Sequence, residues 1–173
     1  MDPAHRGSFA KSFDESMVPT LALTSAIAKK QIPVIASGGL MDGRDIAEAL
    51  RAGAFAVQLG TAFLACDESG AAPVYKRAIL DVKRDETTII RAYSGRPARG
   101  LANAFANEVD AHDEWILPFP IQNTLTRAMR AEASKRGDRE RLSLWAGRGV
   151  TRARAMPVAQ LIETLVEELR ANA

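Results

Sequence analysis

Two glycine turns, one helical pattern apart, carry the chemistry that this sequence is equipped to do. Gly38-Gly39 follows an apolar run at residues 32–36, and Gly60-Thr61 follows a second apolar run at residues 54–59. Glycine lacks a Cβ, so the chain can turn sharply there and let a ligand approach the backbone. Unpaired N–H groups at the start of a following helix favour an anion, normally a phosphate. A single Gly-Gly can also be no more than a plain tight turn. Two such turns at neighbouring strand ends make phosphate binding the better reading.

The elements that must position these turns are readable in the hydrophobic pattern. Residues 32–36 (IPVIA) are short and apolar enough for a buried strand. A helix follows, with Asp42 as N-cap, Asp45 in its first turn and Ile46, Ala49 and Leu50 on one face. Gly53 supplies its stop, and the second apolar run completes a βαβ unit with parallel strands. In (β/α)8 barrels the loops after the last two strands frequently form a phosphate site of this kind.

The whole chain sets wider bounds. Its 173 residues suffice for one domain with a sizeable core, whereas an αβ barrel takes about 250. A net charge of +2 and the absence of any long like-charge block argue against nucleic acid as a partner. The single cysteine, Cys66, excludes an intramolecular disulfide and reads as a small buried apolar residue rather than a nucleophile. Neither an apolar leader nor a membrane-length run is evident, so a cytoplasmic protein without membrane association is expected. No metal site is expected.

Elsewhere the pattern predicts helices over residues 17–30, 74–83, 99–109, 121–136 and 139–145, and a strand over residues 87–93. In the helix at 121–136, Ile121, Leu125, Ala128 and Met129 form the expected buried side, and Gly137 stops it. The last helix begins at Pro157 and carries a stripe of Leu161, Ile162, Leu165, Val166 and Leu169 for packing on a core. His112 reads as a loop residue, and Trp145 as core.

Several segments together resemble the C-terminal half of the nitronate monooxygenases. They are AHRGSF at residues 4–9, IPVIASGGLMDGRDIAEAL at 32–50 and AVQLGTAFLACDESGA at 56–71. SGRPARGLANAF at 94–105, LPFPIQNTLTRAMR at 117–130 and LSLWAGRGV at 142–150 are the more specific to that family. The resemblance implies an α/β fold, the C-terminal part of a TIM (β/α)8 barrel with a smaller, mainly helical second domain. Residues 1–80 would supply the last strands and helices of the barrel, 81–150 the second domain over the active site, and 151–173 a terminal helix packing back on the barrel.

The resemblance further implies non-covalently bound FMN, a small nitronate substrate and O2, with a carbonyl compound and nitrite as products. Gly38 and Gly39 match the family's first phosphate turn, and Gln58, Leu59, Gly60 and Thr61 match the second. His5 matches its catalytic histidine, a residue type whose pKa lies near neutrality. Two departures bear on activity: Pro3 and Ala4 replace the glycines that precede that histidine in the family, and the first strands of the barrel have no counterpart here. The alternatives are a flavin-dependent enoyl-acyl-carrier-protein reductase-like enzyme, or a non-catalytic remnant that binds phosphate ligands, a homo-oligomer completing its own sheet.

Overall fold

The computed structural model describes residues 17–173. The predicted βαβ unit is present. Strand β1 (Ile35–Ser37) pairs in parallel with β2 (Ala56–Gln58), with Ala36 opposite Val57. Helix α2 (Gly43–Arg51) connects them, following α1 (Thr20–Ala28). Asp42 caps α2 as expected, its carboxylate accepting the Asp45 N–H at 2.9 Å. Ile46 and Ala49 are buried, whereas Leu50 stays exposed at the edge of the face.

Helix α1 buries its threonines most deeply, while Leu21, Leu23 and Ile27 are half-buried. Its covered side is Thr20 and Thr24, one turn apart, and both hydroxyls donate to carbonyls, Thr20 to Gly38 and Thr24 to Thr20. A buried hydroxyl is tolerated because its hydrogen bond is made. Leu21 alone of the helix's leucines packs on the cluster of Ala36, Leu40 and Ala49.

After a short 3-10 turn at Thr61–Phe63, the chain forms α3 (Pro73–Leu80), with Pro73 in the first turn where its missing N–H does no harm. Strands β3 (Thr87–Ile90), β4 (Ala98–Leu101) and β5 (Leu144–Trp145) then make an antiparallel sheet in the order β3-β4-β5. Helices α4 (Ala104–Asp110), α5 (Ile121–Leu125) and α6 (Arg127–Arg136) belong to the same segment. Gly137 ends α6 in the left-handed conformation, as predicted.

Three expectations in this segment are corrected. The start of the predicted helix at 99–109 is strand β4, and the helix begins only after Asn103, whose side chain caps it by accepting the Ala106 N–H. Gly100 explains the difference: a Cβ there would stand 2.6 Å from the Leu144 carbonyl, so the residue serves a close strand pairing. The predicted helix at 139–145 is a 3-10 turn at Arg139–Arg141 leading into β5. The predicted helix at 121–136 is broken at Thr126, which is buried and donates its hydroxyl to the Tyr93 carbonyl at 2.7 Å. Its buried side is therefore Gln122, Thr126 and Ala133, while Ile121 and Leu125 face solvent.

The terminal helix α7 (Val158–Asn172) packs on α2. Leu161 and Leu165 are buried with Ile46 and Cys66, whereas Ile162 and Val166 lie outside the contact. Burying two leucines contributes roughly 3–6 kcal/mol to docking α7. A separate core joins Val74, Ala78 and Ile79 of α3 to Leu101, Leu142, Leu144 and Val150. That core fixes β5 and the chain after it beside the ends of β1 and β2.

Candidate functional site

A cavity of about 350 Å³ opens at the C-terminal ends of β1 and β2. Ser37, Gly38, Gly39 and Leu40 form one wall, and Gln58, Gly60, Thr61 and Leu64 form another. Tyr75 of α3 and Trp145, Ala146 and Gly147, which follow or end β5, complete it. The two glycine turns singled out in the sequence therefore border one space.

Backbone geometry shows why glycine stands in the first turn. Gly38 has φ +120° and Gly39 φ +75°, conformations that a side chain disfavours. Gly60 differs. Its φ is −111°, and a Cβ built on it would meet nothing within 4 Å, so open space adjoins that backbone. The Thr61 hydroxyl accepts the Gly147 N–H at 3.0 Å. A hydroxyl has one proton to give and two lone pairs to receive with, so this contact leaves the proton available to an anion in the cavity.

The start of α2 is partly occupied by the chain's own carboxylates. Two of its N–H groups already have carboxylate partners: Gly43 donates to Glu168 at 2.8 Å and Asp45 to Asp42. Asp45, buried, also accepts the Met41 N–H at 2.7 Å. Arg152 bridges the two carboxylates, at 2.5 Å to Asp42 and 2.8 Å to Asp45. Burial works against ionisation of Asp42, but the Asp45 N–H and the Arg152 guanidinium outweigh it and hold the carboxyl below its ordinary pKa.

Tyr75 is held by a 2.5 Å hydrogen bond that its hydroxyl donates to the Trp145 carbonyl. Burial pushes its pKa well above the ordinary tyrosine value, so it remains a neutral donor. Cys66 is buried as expected, and burial with the nearby Glu68 and Asp67 raises its thiol pKa, which keeps it protonated and unreactive.

Among the predicted site residues, Gly38, Gly39, Gln58, Gly60 and Thr61 lie on the cavity wall. Leu59 is not among the lining residues; its side chain packs between the clusters around Ala36 and Ile46. His5 lies outside the described residues. His112 is a loop residue, stacked on Trp115 at 3.9 Å. Trp145 does contact the core, edge-on to Tyr93 at 5.9 Å, but it also lines the cavity, which its assignment as core alone did not foresee. Tyr75 and Gly147 were also missed, because only the folded chain brings them beside Thr61.

Parallel strands joined by a helix, with glycine turns bordering a cavity at their C-terminal ends, are the local arrangement found in (β/α)8 barrels. The family model for nitronate monooxygenase matches residues 4–168, and the chain belongs to that family. It is 42% identical over 166 residues to a probable nitronate monooxygenase of Bacillus subtilis, covering 95% of this chain and 48% of that protein. The nitronate monooxygenase of Pseudomonas aeruginosa is 42% identical over 168 residues, covering 96% and 48%.

Among solved structures, the nitroalkane oxidase of Streptomyces ansochromogenes superposes with a TM-score of 0.88 at 42% identity, over 98% of this chain and 49% of that one. FabK from Thermotoga maritima gives 0.75 at 33% identity, over 98% and 52%. Both are TIM-barrel enzymes, and this chain has the α/β fold of part of such a barrel. The chain spans about half the length of the curated relatives it matches.

Proposed function

We propose that this chain carries the cofactor-phosphate portion of an FMN-dependent nitronate monooxygenase, an enzyme that oxidises alkyl nitronates with O2 to carbonyl compounds and nitrite. The observation that carries the reading is the cavity bordered by both glycine turns and by a Thr61 hydroxyl whose proton is available. The donor set fits a phosphate: backbone N–H groups of Gly38, Gly39, Gly60 and Thr61, the Thr61 hydroxyl, and open space beside Gly60. Leu59 contributes through its backbone, and Gln58 through its exposed side chain at the end of β2. When bound, FMN would supply the transfer of electrons between substrate and O2.

The remaining roles follow from this chain's own residues. Leu40, Leu64, Tyr75 and Trp145 give the cavity apolar walls that exclude water around a planar ligand. Residues 81–150 act as the smaller domain over the site, and 151–173 as the helix that returns to the barrel. His5 is the proton-handling residue for the acidic carbon beside the nitro group, on the strength of the family likeness. Ile35 and Phe55, apolar and 62% and 77% exposed beside the parallel pair, are what a barrel segment presents to further strands. A cytoplasmic location suits such an enzyme; among the described residues no helix is long and apolar enough to cross a membrane.

The test is direct. The purified chain should be yellow, release FMN on denaturation and consume O2 when a nitronate is added. NAD(P)H-dependent reduction of an enoyl thioester without nitronate oxidation would transfer the assignment to the reductase class. A colourless protein that FMN cannot saturate would reject catalysis by this chain.

A further inference from the structure

The Gly38-Gly39 turn is held from behind by two side chains that come from opposite ends of the chain. Thr20, 1% exposed on α1, donates its hydroxyl to the Gly38 carbonyl at 3.0 Å. Arg152 reaches the same turn from the C-terminal part of the chain. Its Nη2 is 3.4 Å from the Gly39 carbonyl, and its ion pairs with Asp42 and Asp45 fix the carboxylate that receives the Met41 N–H. Gly149, three residues earlier, seats the same segment against the turn. A Cβ there would collide with the Met41 side chain and stand 3.0 Å from the Gly39 carbonyl.

A trans peptide is planar, and its C=O and N–H point to opposite sides. Tying the Gly38 carbonyl to Thr20 therefore turns the Gly39 N–H away from α1. Tying the Gly39 carbonyl to Arg152 turns the Leu40 N–H away from the 148–152 segment in the same manner. Both Gly39 and Leu40 line the cavity. Glycines at φ +120° and +75° have other conformations open to them, so this orientation needs an external restraint.

We propose that Thr20 and Arg152 are positioning residues for phosphate recognition: by fixing the Gly38 and Gly39 carbonyls they aim the Gly39 and Leu40 N–H groups at the ligand's phosphate. The inference rests on the reading of the cavity as a phosphate site. Neither residue touches the ligand. Their effect is confined to the phosphate, and the rest of a flavin is bound independently of them.

The experiment compares FMN with riboflavin, which lacks the phosphate, by fluorescence titration of the wild-type chain and of Thr20→Val, Thr20→Ser, Arg152→Met and Arg152→Lys. Wild type is expected to prefer FMN. Thr20→Val should reduce that preference about fivefold to tenfold, the effect of one oriented hydrogen bond, with riboflavin affinity unchanged. Thr20→Ser, which keeps the hydroxyl, should restore it, and Arg152→Met should fall further than Arg152→Lys. In amide spectra, the Gly39 and Leu40 signals should move downfield with FMN and not with riboflavin.

If Thr20→Val and Arg152→Met weaken both ligands equally, the two residues only stabilise the fold and the inference is overturned. If wild type itself shows no preference for FMN, the phosphate reading falls and takes this inference with it. A Thr20→Val chain that does not fold leaves the Ser and Lys variants and the wild-type amide shifts to decide. Unmoved Gly39 and Leu40 signals in an FMN-binding wild type would refute the inference by themselves.

Discussion

Replacing Gly60 by aspartate is the sharpest way to interrogate the second turn. No heavy atom lies within 4 Å of a Cβ built at Gly60, and its φ of −111° suits any residue. Gly60→Ala should therefore change stability by less than about 1 kcal/mol. Aspartate adds a charge facing the space assigned to phosphate. Gly60 is exposed, so an effective dielectric of about 40 is appropriate; at about 5 Å two unit charges then repel by about 1.7 kcal/mol. A phosphate carrying about −1.5 to −2 raises this to about 2.5–3.3 kcal/mol, or roughly 60- to 200-fold in Kd. Gly60→Asn, isosteric and neutral, separates charge from bulk. Flavin fluorescence titration should show Gly60→Asp far weaker than Gly60→Asn, with the gap narrowing at high salt. Equal affinities for the two variants would refute the electrostatic reasoning, and wild-type affinity in both would place the phosphate elsewhere.

Three further outcomes are expected. Thr61→Val removes the proton offered to the anion and the acceptor of the Gly147 N–H, so FMN affinity should fall about tenfold and stability by about 1 kcal/mol, read by titration and thermal melting. Asp42, whose folded pKa is depressed, contributes stability that is present above its unfolded pKa of about 3.9 and is lost as pH falls through the folded value. Asp42→Asn keeps the helix cap but not the ion pair with Arg152. Melts below about pH 4 should therefore decline less steeply in the variant, and an unaltered acid limb would contradict this. Leu144→Ala empties a fully buried position in the core of α3 and β5 and should cost about 2–5 kcal/mol in urea unfolding, with the Trp145 wall loosened as well.

The local parts of the site could be read in advance because they are set by neighbouring residues. Gly38-Gly39, Asp42 and Gly53 punctuate the βαβ unit within one contiguous stretch of chain, and an apolar run has few other uses there. What escaped the pattern depends on distant partners. Residues 99–101 look helical until Gly100 is seen against the Leu144 carbonyl, 44 positions away in the chain. Thr126 divides a helical pattern because Tyr93 offers it a buried acceptor. Thr20 looks like a polar surface position, yet it holds the first glycine turn. Trp145 and Gly147 reach the cavity only because β5 pairs with β4 and packs beside α3. The leucine and isoleucine positions on α5 would also suit a buried helix, but two polar residues with backbone partners occupy that side instead.

The central claim is that one phosphate is gripped between the two glycine turns. Its most direct test is a crystal of this chain grown with FMN. Phosphate oxygens within hydrogen-bond reach, about 3 Å from oxygen to nitrogen, of the Gly39, Leu40, Gly60 and Thr61 N–H groups are the predicted result. Bound FMN with its phosphate outside the cavity lined by Ser37, Gly60 and Trp145 would contradict the account.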